Sequence, residues 1–126
     1  MSGVTALALA RVARVLLGPE SGSRAAVLYL FSPFAWAFGR VGLVEETMNA
    51  FLALTLAAWV GRGLAPGVLA GLAHAAAFGT KYYAAFAGVA ILASVLIPPA
   101  DAEPWRARGR KLAGYGVGLG LGLGIW

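Results

Sequence analysis

The stretch GLAPGVLAGLAHAAAFGT, residues 63–80, is uncharged and places a small residue at every fourth position: Gly63, Gly67, Gly71, Ala75 and Gly79. On a helix these five form one ridge almost without side chains, against which another backbone can lie closely. Helix–helix association in lipid is the ordinary use of such a ridge; a groove for a pigment, quinone or lipid tail is the functional alternative. Further uncharged runs lie on either side, at residues 25–39, 47–61, 82–100 and 112–126. With 60% hydrophobic and 12% charged residues and a mean hydropathy of +0.80, the 126-residue chain has more apolar surface than a soluble core of this size buries. The solvent it implies is lipid.

Read as membrane segments, the chain is a single all-α integral membrane domain. Residues 1–18 form an amphipathic helix with Arg11 and Arg14 on one face and Leu7, Leu9, Val12, Leu16 and Leu17 dipping into the lipid boundary. The two arginines sit inside the apolar stretch and not ahead of it as in a signal peptide, so the segment reads as interfacial. The turn Gly18-Pro19-Glu20-Ser21-Gly22-Ser23 leads to about four short spans, 24–39, 45–61, 64–80 and 82–97. Pro33 is expected to kink the first after Ser32. Glu45 and Glu46 mark the first turn of the second, and Pro66 that of the third. Around Gly79-Thr80-Lys81 a hairpin is favoured over one continuous helix, which would be about 50 Å long and hold Lys81 at mid-membrane for about 2.5 kcal/mol or more. Pro98-Pro99 ends the fourth span, residues 98–111 form a basic loop, and 112–126 a glycine-rich C-terminal helix.

This topology sorts the charges. Arg11, Arg14, Arg24, Arg62, Arg106, Arg108, Arg110 and Lys111 share one side, Arg40 and Lys81 lie opposite, and the basic side is predicted to be cytoplasmic or matrix. Trp36, Trp59 and Trp105 fall near span ends, where indoles favour the headgroup belt. The net charge of +5 flanks apolar runs and forms no solvated face, which points to anionic lipid and away from nucleic acid. Arg11, Arg14, Lys81, Arg106, Arg108, Arg110 and Lys111 are the candidate headgroup contacts, with bound phospholipid the expected companion. There is no cysteine, hence no disulfide or thiolate metal site.

The tail GYGVGLGLGLG, residues 114–124, alternates glycine with larger residues, yet a lone strand in hydrocarbon would leave its peptide groups unsatisfied. As a helix it carries two ridges, Gly114/Gly118/Gly122 and Gly116/Gly120/Gly124, on nearly opposite faces. Each glycine costs about 1 kcal/mol against alanine in an exposed helix, so close partners are expected, and other chains are the expected source. The run resembles the glycine-rich packing helix of rotary ATP synthase proteolipid subunits. That family also places a carboxylate at mid-membrane on its other helix, which no span here has, so the resemblance implies close packing alone.

His74, the single histidine, lies mid-span. A haem b or quinone contact is conceivable there, with the second axial ligand from a partner subunit; succinate dehydrogenase membrane anchors similarly set a haem-binding histidine in a small bundle. The ordinary role is a neutral histidine bonded to a neighbouring helix. Glu45 and Glu46 could hold a cation or relay protons, though acids in a first turn need no function. Lys81 with Tyr82 and Tyr83 could meet a phosphate or a quinone headgroup, or simply snorkel. Asn49 and Thr55 could bond between helices.

Small size, two-sided glycine ridges and the lack of a nucleophile–base pair point to a non-catalytic accessory subunit, held among other membrane subunits through its glycines. The expected setting is a respiratory or photosynthetic complex of the mitochondrial inner membrane or a bacterial or plastid energy-transducing membrane. A haem- or quinone-binding anchor using His74 and a homo-oligomeric channel or carrier are the rivals.

Overall fold

Gly18, at φ +99°, gives the first clean break, in a backbone region that residues with a side chain rarely enter. The computed structural model describes residues 2–33, 35, 37, 44–97 and 103–125, the side chain of Tyr83 excepted. Among these residues it forms helices α1 (Ser2–Leu17), α2 (Ser21–Leu30), α3 (Val44–Trp59), α4 (Leu64–Thr80), α5 (Phe86–Leu96) and α6 (Trp105–Leu123), a 3-10 turn at Tyr82–Ala85, and no strand. Trp36, Arg40, Pro98, Pro99 and Asp101 lie outside the described residues.

α1 and α2 fold into a hairpin. The Ser21 hydroxyl lies 2.8 Å from the Ala13 carbonyl oxygen, and Gly22 comes so close that a Cβ there would sit 2.8 Å from the Ala10 oxygen. α2 stops at Leu30, shortly before Pro33, which has no backbone N–H to carry the helix on. Helical conformation returns at Pro33, so the break falls at Phe31 and Ser32, where the kink of the 24–39 span is expected; residues 34, 36 and 38–43 lie outside the described residues.

α3 and α4 form a second, antiparallel hairpin. Gly63 at φ +95° sits at the N-cap of α4, and Met48 of α3 packs on Ala77 of α4. Lys81 is extended (φ −154°, ψ 133°), which ends α4, and after the 3-10 turn α5 runs back beside it. Ala84 shares a cluster with Ala77, and Ile91 touches Ala70, the pairing of an antiparallel return. Residues 64–97 are thus a broken hairpin and not one long helix.

The closest contact in the molecule joins α4 to α6, which run parallel. A Cβ on Gly67 would overlap the Lys111 carbonyl oxygen, one on Gly71 the Tyr115 oxygen, and one on Gly118 the Val68 oxygen; on Gly114 it would lie 2.6 Å from the Leu64 oxygen. Gly122 meets Ala75. The ridge of Gly114, Gly118 and Gly122 therefore has its partner in the same chain and not in another. On α4 the seam uses Gly67, Gly71 and Ala75; Gly63 serves the turn instead, and Gly79 is exposed.

The second ridge expected on the tail, Gly116/Gly120/Gly124, packs against no helix. Gly116 and Gly120 have open space at the Cβ position. Gly124 is exposed and lies past the end of α6 as its C-cap, its N–H bonded to the Gly120 carbonyl at 3.0 Å. A Cβ there would meet only the carbonyls of Gly120 and Leu121, in its own last turn, at 3.3 and 3.6 Å. The physical reason is one of faces: α4 covers a single side of α6, and this ridge lies on nearly the opposite side.

α1 runs alongside α3. Its small residues Thr5, Ala6, Ala8 and Ala13 are buried, Ala8 touches Ala53 and Ala57 of α3, and the Arg11 Nε donates to the Ala57 carbonyl at 2.8 Å. A face of small residues allows side-by-side contact with α3, and this overrides the amphipathic reading. Val12 packs against that cluster, whereas Leu7, Leu16 and Leu17 stay exposed.

The distribution of side chains is inside out for a protein in water. Among the described residues alanine dominates the buried apolar positions and the largest side chains under 2% exposed are Ile91 and Thr55, whereas Leu28, Phe31, Phe86, Leu96, Ile97 and Ile125 point outward. Helices that associate in lipid have this pattern, because packing and not apolar burial drives them together. No helix among the described residues is long and apolar enough to cross a membrane on its own.

The seam sets a specific expectation. Gly71→Ala and Gly118→Ala should each lower stability by about 1–3 kcal/mol, because backbone must move to admit the methyl group. Gly120→Ala, with open space, should leave stability unchanged or raise it by up to about 1 kcal/mol. Thermal unfolding in detergent, followed by circular dichroism, checks the ranking.

Candidate functional site

The helices share two ends with different chemistry. At one end lie the N-termini of α1, α3 and α5 and the C-termini of α2, α4 and α6; at the other lie the opposite termini and most of the basic residues. Glu45 and Glu46, in the first turn of α3, define the first end. Glu46 is buried and its carboxylate accepts from the Ser2 hydroxyl at 2.9 Å and the Tyr29 hydroxyl at 3.3 Å. Glu45 forms an ion pair with Lys81, both side chains being about one-third exposed. Glu45 thus meets Lys81 where α4 breaks, while Glu46 faces α1 and α2. Tyr82, next to Lys81, is exposed.

Between α4, α5 and α6 runs a half-open apolar groove of about 430 Å³, lined by His74, Phe78, Gly88, Leu92, Tyr115 and Leu119 among others. His74 and Tyr115 supply its polar groups. The His74 Nε2 lies 2.8 Å from the Ala84 carbonyl, so that nitrogen carries the proton and donates; Nδ1 then accepts from the Tyr115 hydroxyl. Both ring nitrogens are engaged, and an iron ligand would have to displace one of these bonds. Trp59 meets Tyr115 edge-on, with ring centroids 5.8 Å apart. Gly88 eases this closeness, since a Cβ there would lie 3.2 Å from the His74 ring.

At the other end Arg62, Arg108 and Lys111 surround a second groove with Trp59 and Glu103. Lys111 places its ammonium 4.5 Å from the centre of the Trp59 ring. Burial holds its pKa below the ordinary lysine range, a tendency that the Glu103 carboxylate opposes and Arg62 reinforces. Of the other candidate headgroup contacts, Arg14, Arg106 and Arg110 lie outside this groove, and Arg11 is tied to α3. Thr55 bonds the Phe51 carbonyl of its own helix at 2.8 Å and bridges nothing; Asn49 is exposed. Among the described residues no group of acidic, histidine or cysteine side chains could hold a metal ion.

The partners of these groups are not legible in the sequence pattern. Tyr115 reads there only as a member of the glycine run, yet a tyrosine among glycines on a buried face must find a bond for its hydroxyl, which is the available signal. Ser2 and Tyr29 carry no pattern that would assign them to Glu46.

Small-residue seams, outward leucines and a lipid-facing groove define a membrane-type helical bundle. Residues 1–126 match the dolichyl-phosphate-mannose-protein mannosyltransferase family, and the chain belongs to that family, which is membrane-embedded. No curated protein and no solved structure matches it. The family points to an enzyme of glycosyltransferase type, which overturns the expectation of a non-catalytic accessory subunit of a respiratory or photosynthetic complex, and with it the anchor and channel rivals. The mitochondrial inner membrane is not supported either. That expectation rests on the lack of a nucleophile–base pair in the sequence pattern, an absence that does not exclude catalysis.

Tyr115→Phe should cost about 1–3 kcal/mol, since it leaves the His74 Nδ1 buried without a donor. Thermal unfolding measures the loss, and imidazole ¹⁵N shifts should show a protonated Nε2 in the parent protein.

Proposed function

We propose that this chain forms part of the membrane domain of a glycosyltransferase that moves mannose from dolichyl phosphate mannose to a protein hydroxyl, with the groove over His74 and Tyr115 lodging the dolichyl chain of the donor. The observation that carries the reading is the groove itself, which is apolar along its walls, open on one side and bordered by the Gly116 face of α6, where no side chain intrudes. Its Phe78 and Ala85 walls flank, in sequence, the segment that begins at Lys81.

In the transfer, the bond between the sugar C1 and the phosphate oxygen breaks, and dolichyl phosphate leaves with the electron pair. The acceptor oxygen bonds C1 and gives up its proton. Lys81 supplies the positive charge that the leaving phosphate requires, and Glu45, held beside it, takes the proton. The Glu45–Lys81 contact of the resting protein keeps both groups at the polar end until the donor phosphate competes for the ammonium.

In this reading α3, α4, the α5 return and the part of α6 beyond Lys111 lie in the bilayer, with the basic end at the cytoplasmic surface. α4 has 17 residues and so reaches only about 25 Å, which a locally thinned bilayer or flanking protein accommodates.

The test uses the whole protein that carries this chain, in lipid vesicles, with radiolabelled dolichyl phosphate mannose and an acceptor peptide. Gly116→Leu fills the groove without touching the seam. It should raise the KM for the donor by about tenfold, the equivalent of two lost methylene contacts, and leave kcat largely intact. Lys81→Gln should lower kcat/KM while Lys81→Arg retains most of it. A photoreactive dolichyl phosphate should label α4, α5 or α6. Donor kinetics unchanged in Gly116→Leu, or labelling confined to other segments, would remove the groove from the reaction.

A further inference from the structure

The basic end carries a separate groove, of about 510 Å³, between α1, α3, α5 and α6. Its walls are Val12, Val15, Leu16, Leu56 and Val95, and its mouth is ringed by Arg62, Arg108 and Lys111. Glu103, 3.3 Å from Arg62, is the one carboxylate among its described lining residues, which also hold three cations. Arg108 donates from Nη1 to the Val95 carbonyl at 2.6 Å, but its Nε is buried with no hydrogen-bond partner. A buried N–H without an acceptor is costly, and one on a guanidinium calls for an anion.

We propose that this groove is a binding site for an anionic glycerophospholipid, whose phosphate sits among Arg62, Arg108 and Lys111 and whose acyl chains lie along Val12, Val15, Leu16 and Leu56. The excess positive charge selects an anionic over a zwitterionic headgroup. Trp59 closes the boundary between the two regions, its face turned to the Lys111 ammonium and its indole N–H bonded to the Ser94 hydroxyl at 3.0 Å. The groove lies at the end opposite Glu45 and Lys81, so its occupant is a structural lipid and not the sugar carrier, and the assignment does not depend on the proposed transfer reaction.

Native mass spectrometry of the whole protein, released from vesicles of phosphatidylcholine with and without phosphatidylglycerol, tests the site. The parent protein should retain phosphatidylglycerol in preference to phosphatidylcholine. Arg62→Gln and Lys111→Gln should each weaken retention about fivefold. Arg106→Gln and Arg110→Gln remove the same charge from positions outside the groove and should leave retention unchanged. Equal loss in all four variants would reduce the effect to bulk charge and overturn the site, as would equal retention of phosphatidylcholine. Displacement of the retained phosphatidylglycerol by dolichyl phosphate would overturn the choice of lipid. Arg62 is largely exposed in its ion pair, so loss of fold does not confound that variant.

Discussion

The approach of two backbones, α4 and α6, with nothing but glycine between them is the contact on which the rest of the molecule depends. Gly67 and Gly71 meet the carbonyls of Lys111 and Tyr115, while Gly114 and Gly118 meet those of Leu64 and Val68. In lipid, apolar side chains gain little by leaving one another's company for hydrocarbon, so close van der Waals contact decides which helices associate. The seam also brings Tyr115 against His74 and thereby fixes the floor of the central groove. Glycine is unfavourable within a helix, yet it alternates through the second half of α6; Gly114, Gly118 and Gly122 are offset by contact, Gly116 lines the central groove, Gly120 faces open space, and Gly124 closes the helix.

Polar chemistry is confined to the two ends and to one histidine–tyrosine pair. At one end the described carboxylates are satisfied by hydroxyls and by Lys81; at the other, positive charge exceeds negative around a greasy cleft. A bundle that keeps its charges at its extremities and turns leucine and phenylalanine outward is arranged for lipid surroundings. Membership of a family named for a dolichyl-linked donor agrees with that division.

Much of the scaffold is legible in the sequence. Charge-free runs and the four-residue spacing of Gly67, Gly71 and Ala75 foretell helices with a bare face, and Lys81 marks the break that follows α4 because mid-membrane charge is expensive. What cannot be read is which bare face meets which. Spacing says that Gly114, Gly118 and Gly122 need a neighbour, but it does not say whether that neighbour lies in the same chain, and it gives Gly116, Gly120 and Gly124 the same promise although no helix covers them. α1 misleads for a related reason: its arginines suggest a surface, whereas its alanines, which carry no strong signal, set its contact with α3. Function is less legible still: the pattern holds no constellation that names a chemistry, and the family is shown by comparison over residues 1–126.

The parallel order of α4 and α6 has a consequence for synthesis. α4 is translated roughly fifty residues ahead of its partner, so its naked glycine face leaves the ribosome before the complementary surface exists. During that interval the α3 hairpin and the returning α5 are the available company, and the tail must slot into a gap held open beside them. Truncation within α6 would leave that gap unfilled, although Glu45, Glu46 and Lys81 would already have been made.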